Sequence, residues 1–167
     1  CQLNNIPDGS DADVQTAGDC KKVVCDGNGG TRAVIDDTDT FDDDNQCTSN
    51  ICTGGVVSNP PVQSGASCSQ NGGSFCDGNG NCVECLIPSD CGTNTTCRTY
   101  SCTSNTCGYT NADAGTFVSD EALGDCKQKE CDGSGNIVDA ANTDDIPLGG
   151  ECNTNTCNGM TPSVIPV

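Results

Sequence analysis

The chain has no histidine and no tryptophan, and only one methionine, three phenylalanines and two tyrosines in 167 residues. Without histidine the usual general base at neutral pH is missing, and no aromatic platform stands beside the carboxylates, as a glycosidase would need. No enzyme is therefore expected. With so few large apolar side chains, a sizeable continuous core cannot form. Basic residues are scarce as well. Six Lys and Arg against 24 Asp and Glu leave a net charge of −18, so nucleic acid and anionic membrane surfaces are poor partners. No apolar run is long enough for a transmembrane span. No 3.6-residue period is sustained, and only "DEALGDCKQKE" (120–130) has room for one helical turn.

Cysteine is abundant. Seventeen in 167 residues is the level of a disulfide scaffold, in which covalent staples replace the missing core. That implies an oxidising compartment, and the chain reads as a secreted or cell-surface product. Zinc is the alternative. Only Cys82 and Cys85 ("CVEC") have the short spacing of a zinc knuckle, and no His is present to join them. Sixteen cysteines are expected in eight mostly local bridges: Cys20, Cys25, Cys47, Cys52, Cys68, Cys76, Cys82, Cys85, Cys91, Cys97, Cys102, Cys107, Cys126, Cys131, Cys152 and Cys157. Most stand five apart, which favours partners nearby in the chain. Cys1 is the odd one, expected to be free, acylated as a lipid anchor, or self-paired across a two-fold axis.

The chain repeats itself. "GDCKKVVCDGNGG" (18–30) returns as "GDCKQKECDGSGN" (124–136), and "CTSNICTGGVVSNPPV" (47–62) as "CNTNTCNGMTPSVIPV" (152–167). Cys1 and Cys20 are spaced as Cys107 and Cys126 are. Residues 1–62 and 107–167 therefore read as two copies of one cysteine-rich module. An insert at 63–106, with seven cysteines of its own, lies between them.

Locally the sequence reads as short hairpins. "CKKVVC-DGNG-GTRAVI", "SFC-DGNG-NCVEC", "CKQKEC-DGSG-NIVDAA" and "RTYSC-TSN-TCGYT" place β-prone residues on either side of turns rich in Asp, Asn, Ser and Gly. Pro60, Pro61, Pro147, Pro162 and Pro166 argue for edges and linkers. The expected fold is small, all-β and disulfide-rich: an elongated string of short β-hairpin modules with little hydrophobic core. "NTT" at 94–96 is a glycosylation sequon, meaningful only where the source glycosylates such sites.

The run "GDCKKVVCDGNGG…DDTDTFDDDNQCTSNIC", with "GASC…CDGNGNCVECLIPSDCGTNTTCRTYSCTSNTCG", resembles the cysteine-rich tandem repeats of secreted myxobacterial (deltaproteobacterial) surface and matrix proteins. The resemblance implies an extracellular structural role. The architecture also resembles what a calcium-stabilised extracellular bacterial fibre would require. The second module departs from the pattern, with "NTDDIPLGGEC" in place of the acid-rich "DDTDTFDDDNQC".

The acids gather in loops. Each "CDG" turn sets a carboxylate (Asp26, Asp77, Asp132) beside exposed backbone carbonyls. Oxygen-rich irregular loops suit calcium, although no EF-hand run is present. Asp26, Asp36, Asp37 and Asp39 are the candidate ligands in the first copy, and Asp132, Asp144 and Asp145 in the second. The alternative is a solvated acidic surface that keeps the chain soluble.

These observations point to a structural subunit of an extracellular fibre or biofilm matrix, assembling head to tail into a homopolymer. The second reading is a secreted adhesin or small disulfide-rich inhibitor that stays monomeric.

Overall fold

The computed structural model describes residues 6–150 and 152–166. Cys1, the proposed lipid-anchor position, and Glu151 lie outside the described residues, as does Val167. The chain divides into two compact bodies, Cys1–Leu86 and Ile87–Val167. Both are built from small antiparallel hairpins, and no α-helix occurs among the described residues. Among the described residues no helix is long and apolar enough to cross a membrane.

In the first body β1 (Lys21–Cys25) pairs with β2 (Thr31–Ile35), and β3 (Ile51–Thr53) with β4 (Val56–Ser58). The short pair β5 (Phe75–Cys76) and β6 (Cys82–Val83) follows. The second body opens with a 3-10 turn at Pro88–Asp90. Next come the hairpin of β7 (Arg98–Thr103) and β8 (Thr106–Asn111), then the three-stranded sheet of β9 (Phe117–Ser119), β10 (Lys127–Cys131) and β11 (Ile137–Ala141). The hairpin of β12 (Asn153–Asn158) and β13 (Thr161–Pro166) ends the series. Residues 120–126, where one helical turn had room, form bends and a tight turn leading into β10.

Turn chemistry explains the hairpins. In β1–β2 the Asp26 N–H donates to the Gly30 carbonyl at 3.0 Å, and the Asp26 carboxylate accepts the N–H groups of Asn28 and Gly30. Gly27 and Gly29 take φ of 75° and 91°, which a side chain would resist. In β7–β8 the turn residues Ser104 and Asn105 both have positive φ, the geometry whose twist matches a two-residue hairpin.

The interior is sulfur. Every fully buried large side chain is a cysteine: Cys20, Cys47, Cys76, Cys85, Cys97, Cys126 and Cys131, with Val24 at 4% exposure beside them. Ordinary apolar residues lie outside, with Leu123 and Leu148 at 95% and 98% exposure. Apolar burial therefore contributes little, and covalent closure of loops holds the hairpins together.

The hydrogen bonds show a finer period. Gly9, Gly65 and Gly115 donate their N–H to the carbonyls of Cys25, Cys76 and Cys131 at 3.0, 2.9 and 2.9 Å. Those three cysteines donate in return to Ser10, Ala66 and Thr116. A matching bridge to the next strand recurs as Asp11 with Val24, Ser67 with Phe75 and Phe117 with Glu130. The second hairpin recurs too. Thr48 pairs with Pro61, Arg98 with Asn111 and Asn153 with Pro166. Segment 63–106 thus contains the same "CDGxG" turn, and most of the same second hairpin, that flank it on either side.

Candidate functional site

The repeated geometry organises four of the disulfides into two kinds. One closes a unit on itself. Cys20 bonds Cys52 and Cys126 bonds Cys157, with Cα separations of 5.6 and 5.5 Å. The other joins a unit to the next. Cys47, ahead of β3, bonds Cys76 on the following "CDGxG" hairpin, and Cys97, ahead of β7, bonds Cys131 on the hairpin after that. Both joining bridges have a Cα separation of 5.3 Å, and all four cysteines are buried. Cys68–Cys82 and Cys91–Cys107 are local clips, and Cys85 and Cys102 are oxidised as well.

Two expected bridge-formers carry free thiols instead: Cys25, half-buried, and Cys152, exposed. The five-residue spacing misleads for a geometric reason. Cys20 and Cys25, or Cys97 and Cys102, flank extended strands, so about 16 Å separates their backbones. A disulfide spans less than about 7 Å between Cα atoms. The bridges therefore reach forward to another hairpin, over 29 to 34 residues in the joining and unit-closing sets. Cys25 is the counterpart of Cys76 and Cys131, and Cys152 that of Cys47 and Cys97. Each thus occupies a joining-bridge position in the repeat but is a free thiol. The sulfurs of Cys47, Cys68 and Cys76 lie within 4.8 Å of one another, but all three are already in disulfides and are no thiolate site.

The acidic candidates are engaged with backbone N–H groups. Asp39 accepts from Gly18 and Asp19 at 2.9 and 3.1 Å, and its counterpart Asp145 accepts from Gly124, Asp125 and Cys126 at 2.6, 2.9 and 3.1 Å. Each carboxylate thus pins the loop that delivers the unit-closing cysteine. Asp145 is buried, and the Gly124 N–H in particular holds its carboxyl below the usual carboxylate range. Asp37 accepts from Gly54 and Gly55 at the β3–β4 turn. Asp36 accepts from the Thr38 hydroxyl and N–H, which lower its pKa, while Asp144 donates its own N–H to Asn142.

The three "CDGxG" carboxylates are all held below their ordinary value. The N–H groups of Asn28 and Gly30 hold Asp26 below its ordinary value. Asn136, by its side-chain amide and its N–H, does the same for Asp132, and Asn81 with Asn79 pushes Asp77 down to about 2. An Asn four residues on adds a side-chain donor, at 2.7 Å in the Asp132 turn and 2.9 Å in the Asp77 turn, where the first unit has Gly30. Among the described residues no three carboxylates bring ligand oxygens within 4.8 Å of one another. The structure does not gather Asp26 with Asp36, Asp37 and Asp39, nor Asp132 with Asp144 and Asp145, into such a set.

The grooves are open, and most are lined mainly by polar atoms. One is lined by Asp44, Asn45, Gln70, Asn71 and Gly80, across which Asn45 donates to the Gly80 carbonyl and Gln70 to that of Asp44. Two of the few aromatics serve packing. Tyr100 and Tyr109 meet edge to face at 6.2 Å, and Arg98 lies 4.6 Å over Tyr109 while donating to the Ser134 carbonyl. The free pair Cys25 and Cys152 was legible only through a spacing. Each "CDG" cysteine is followed 22, 21 and 21 residues later by a C-x4-C pair, at 47, 97 and 152. Comparison with protein-family models, with curated proteins and with solved structures finds no match to the chain.

Proposed function

We propose that the protein is a structural subunit of an extracellular fibre or matrix, assembling head to tail. The joining bridge carries this reading: the same covalent link recurs between successive units, at Cys47–Cys76 and again at Cys97–Cys131. A series tied unit to unit through buried cystines serves to transmit load or span distance, and the open, polar groove between Asn45 and Gly80 offers little to a small-molecule ligand. The disulfide content fits an oxidising compartment. The net charge of −18 keeps separate chains soluble until they join. Electron microscopy of protein purified under oxidising conditions tests the proposal. Regular filaments are expected, and monodisperse monomers at all concentrations would replace it with the monomeric adhesin or inhibitor.

A further inference from the structure

We propose that the free thiols of Cys152 and Cys25 are the two halves of an intermolecular joining bridge, Cys152 of one copy bonding Cys25 of the next. The inference rests on the head-to-tail reading and supplies the chemistry of its junction. Three observations carry it. First, the backbone frame around Cys25 is that of the acceptor cysteines. Its carbonyl takes the Gly9 N–H and its N–H goes to Ser10, as for Cys76 with Gly65 and Ala66 and for Cys131 with Gly115 and Thr116. Second, the frame beside Cys152 is that of the donor cysteines. Asn153 pairs with Pro166 as Thr48 does with Pro61 and Arg98 with Asn111. Third, Cys25 is half-buried and Cys152 exposed where all four of their counterparts are buried, as expected of positions that an adjoining unit would cover.

The donor side needs no special side chains. Ahead of Cys47 the side chain of Asn45 donates to Gly80 in the turn of the following hairpin, and that of Gln46 accepts from Ser69 in the loop before it. Ahead of Cys97 stand Thr95 and Thr96, and the bridge to Cys131 forms there nonetheless. Gly150 at the Cys152 end is therefore no obstacle. The two thiols are different in frame, so the contact is heterologous and adds copies in one direction, as a filament requires. Cys25 with Cys25 or Cys152 with Cys152 would join two copies and stop.

Closing the bridge removes two protons and two electrons, which a small-molecule disulfide such as oxidised glutathione accepts. The Cys25 thiolate attacks one glutathione sulfur and expels the other as glutathione thiol. The Cys152 thiolate of the neighbouring copy then attacks the Cys25 sulfur and expels the second glutathione thiol.

The test uses the full chain with Cys1→Ser as the background, in oxidised glutathione at an ionic strength above 0.1 M so that the negative copies are screened from one another. Non-reducing electrophoresis is expected to show a ladder that collapses on reduction. Trypsin cleavage after Lys22 and Arg32 releases Cys25 on peptide 23–32, which is expected to be disulfide-linked to the peptide carrying Cys152. Cys25→Ser and Cys152→Ser should each abolish the ladder, and the two variants mixed should give a dimer band and nothing longer. Filaments in which both thiols remain alkylatable would overturn the bridge while leaving the structural reading in place. Monomers with both thiols alkylatable would overturn both. A Cys25–Cys152 bond within one chain, or homodimers through one cysteine, would overturn the bridge as well.

Discussion

If cystine stands in for a core, removing a buried joining bridge should cost more than removing a peripheral clip. The pair Cys97→Ala with Cys131→Ala opens a loop of sequence separation 34, between side chains 0% and 2% exposed. Loop-closure entropy for that length amounts to about 3.7 kcal/mol. Two sulfur-sized voids in a packed interior add roughly 1 kcal/mol each. Cys68→Ala with Cys82→Ala opens a loop of separation 14 between half-buried side chains, so entropy alone applies, at about 3 kcal/mol. For a chain of this length each kcal/mol moves the melting midpoint by roughly 2–4 °C, giving falls of about 11–23 °C and about 6–12 °C respectively. Scanning calorimetry of both variants under non-reducing conditions, with peptide mapping to confirm the remaining bridges, measures the difference. Equal falls, or a larger fall for the 68–82 variant, would refute the claim that buried cystines do the work of a hydrophobic core.

The turn carboxylates make stability depend on pH in one direction. Asp26, Asp77, Asp132 and Asp145 all have native pKa values below the ordinary carboxylate range, Asp77 at about 2, so the native state binds fewer protons than the unfolded chain. Their contribution is present above the unfolded value near 4 and is lost as pH falls towards 2. A melting midpoint that rises over this interval would mean that relief of the −18 self-repulsion outweighs the turns. Asp145→Ala leaves the N–H groups of Gly124 and Asp125 without their shared acceptor, while Cys126 keeps the Asp145 carbonyl, and hydrogen exchange at the first two amides should accelerate about tenfold or more; unchanged protection would show that the loop holds without the carboxylate. Gly124→Ala places a Cβ 2.7 Å from Pro147 Cα at a φ of +78°, so a loss exceeding about 1 kcal/mol is expected in chemical denaturation. Calcium coordination and plain charge screening separate in one titration. Equal midpoint shifts in calcium and magnesium are expected, because the candidate carboxylates, Asp144 apart, already accept N–H groups, and a shift specific to calcium would show coordination.

Much of this fold could be read from turn chemistry alone. "CDGNG" and "CDGSG" specify an aspartate-capped turn with glycines at positive φ, and strands form on both sides of every such turn. The bridges were not legible in the same way. Spacing along an extended strand says where a sulfur cannot reach, and which hairpin lies within reach is a tertiary fact. Segment 63–106 hides its kinship because it lacks the "GDCK" phrase, keeping only the turn and the C-x4-C pair. The role of the carboxylates was not legible for a different reason. An acid-rich loop offers the same composition whether its oxygens face a cation or the loop's own N–H groups, and only backbone geometry tells these apart. Asp39 and Asp145, both among the calcium candidates, share a role that the sequence did not show: both pin the loop before Cys20 or Cys126.

The bridges are interleaved, with Cys47 inside the loop closed by Cys20–Cys52 and Cys126 inside the loop closed by Cys97–Cys131. Under tension this matters more than their number. Force entering at Cys20 crosses to Cys52, runs back five residues to Cys47 and crosses again to Cys76. Farther on it crosses from Cys97 to Cys131, runs back to Cys126 and crosses to Cys157. The hairpins between these points hang beside the load path. An unbridged chain would lengthen by about 3.3–3.6 Å for each residue pulled straight, but most residues here are exempt. The chain would reach its covalent limit after little extension, as a rope does, and reduction of the bridges would convert it into a long, soft spring.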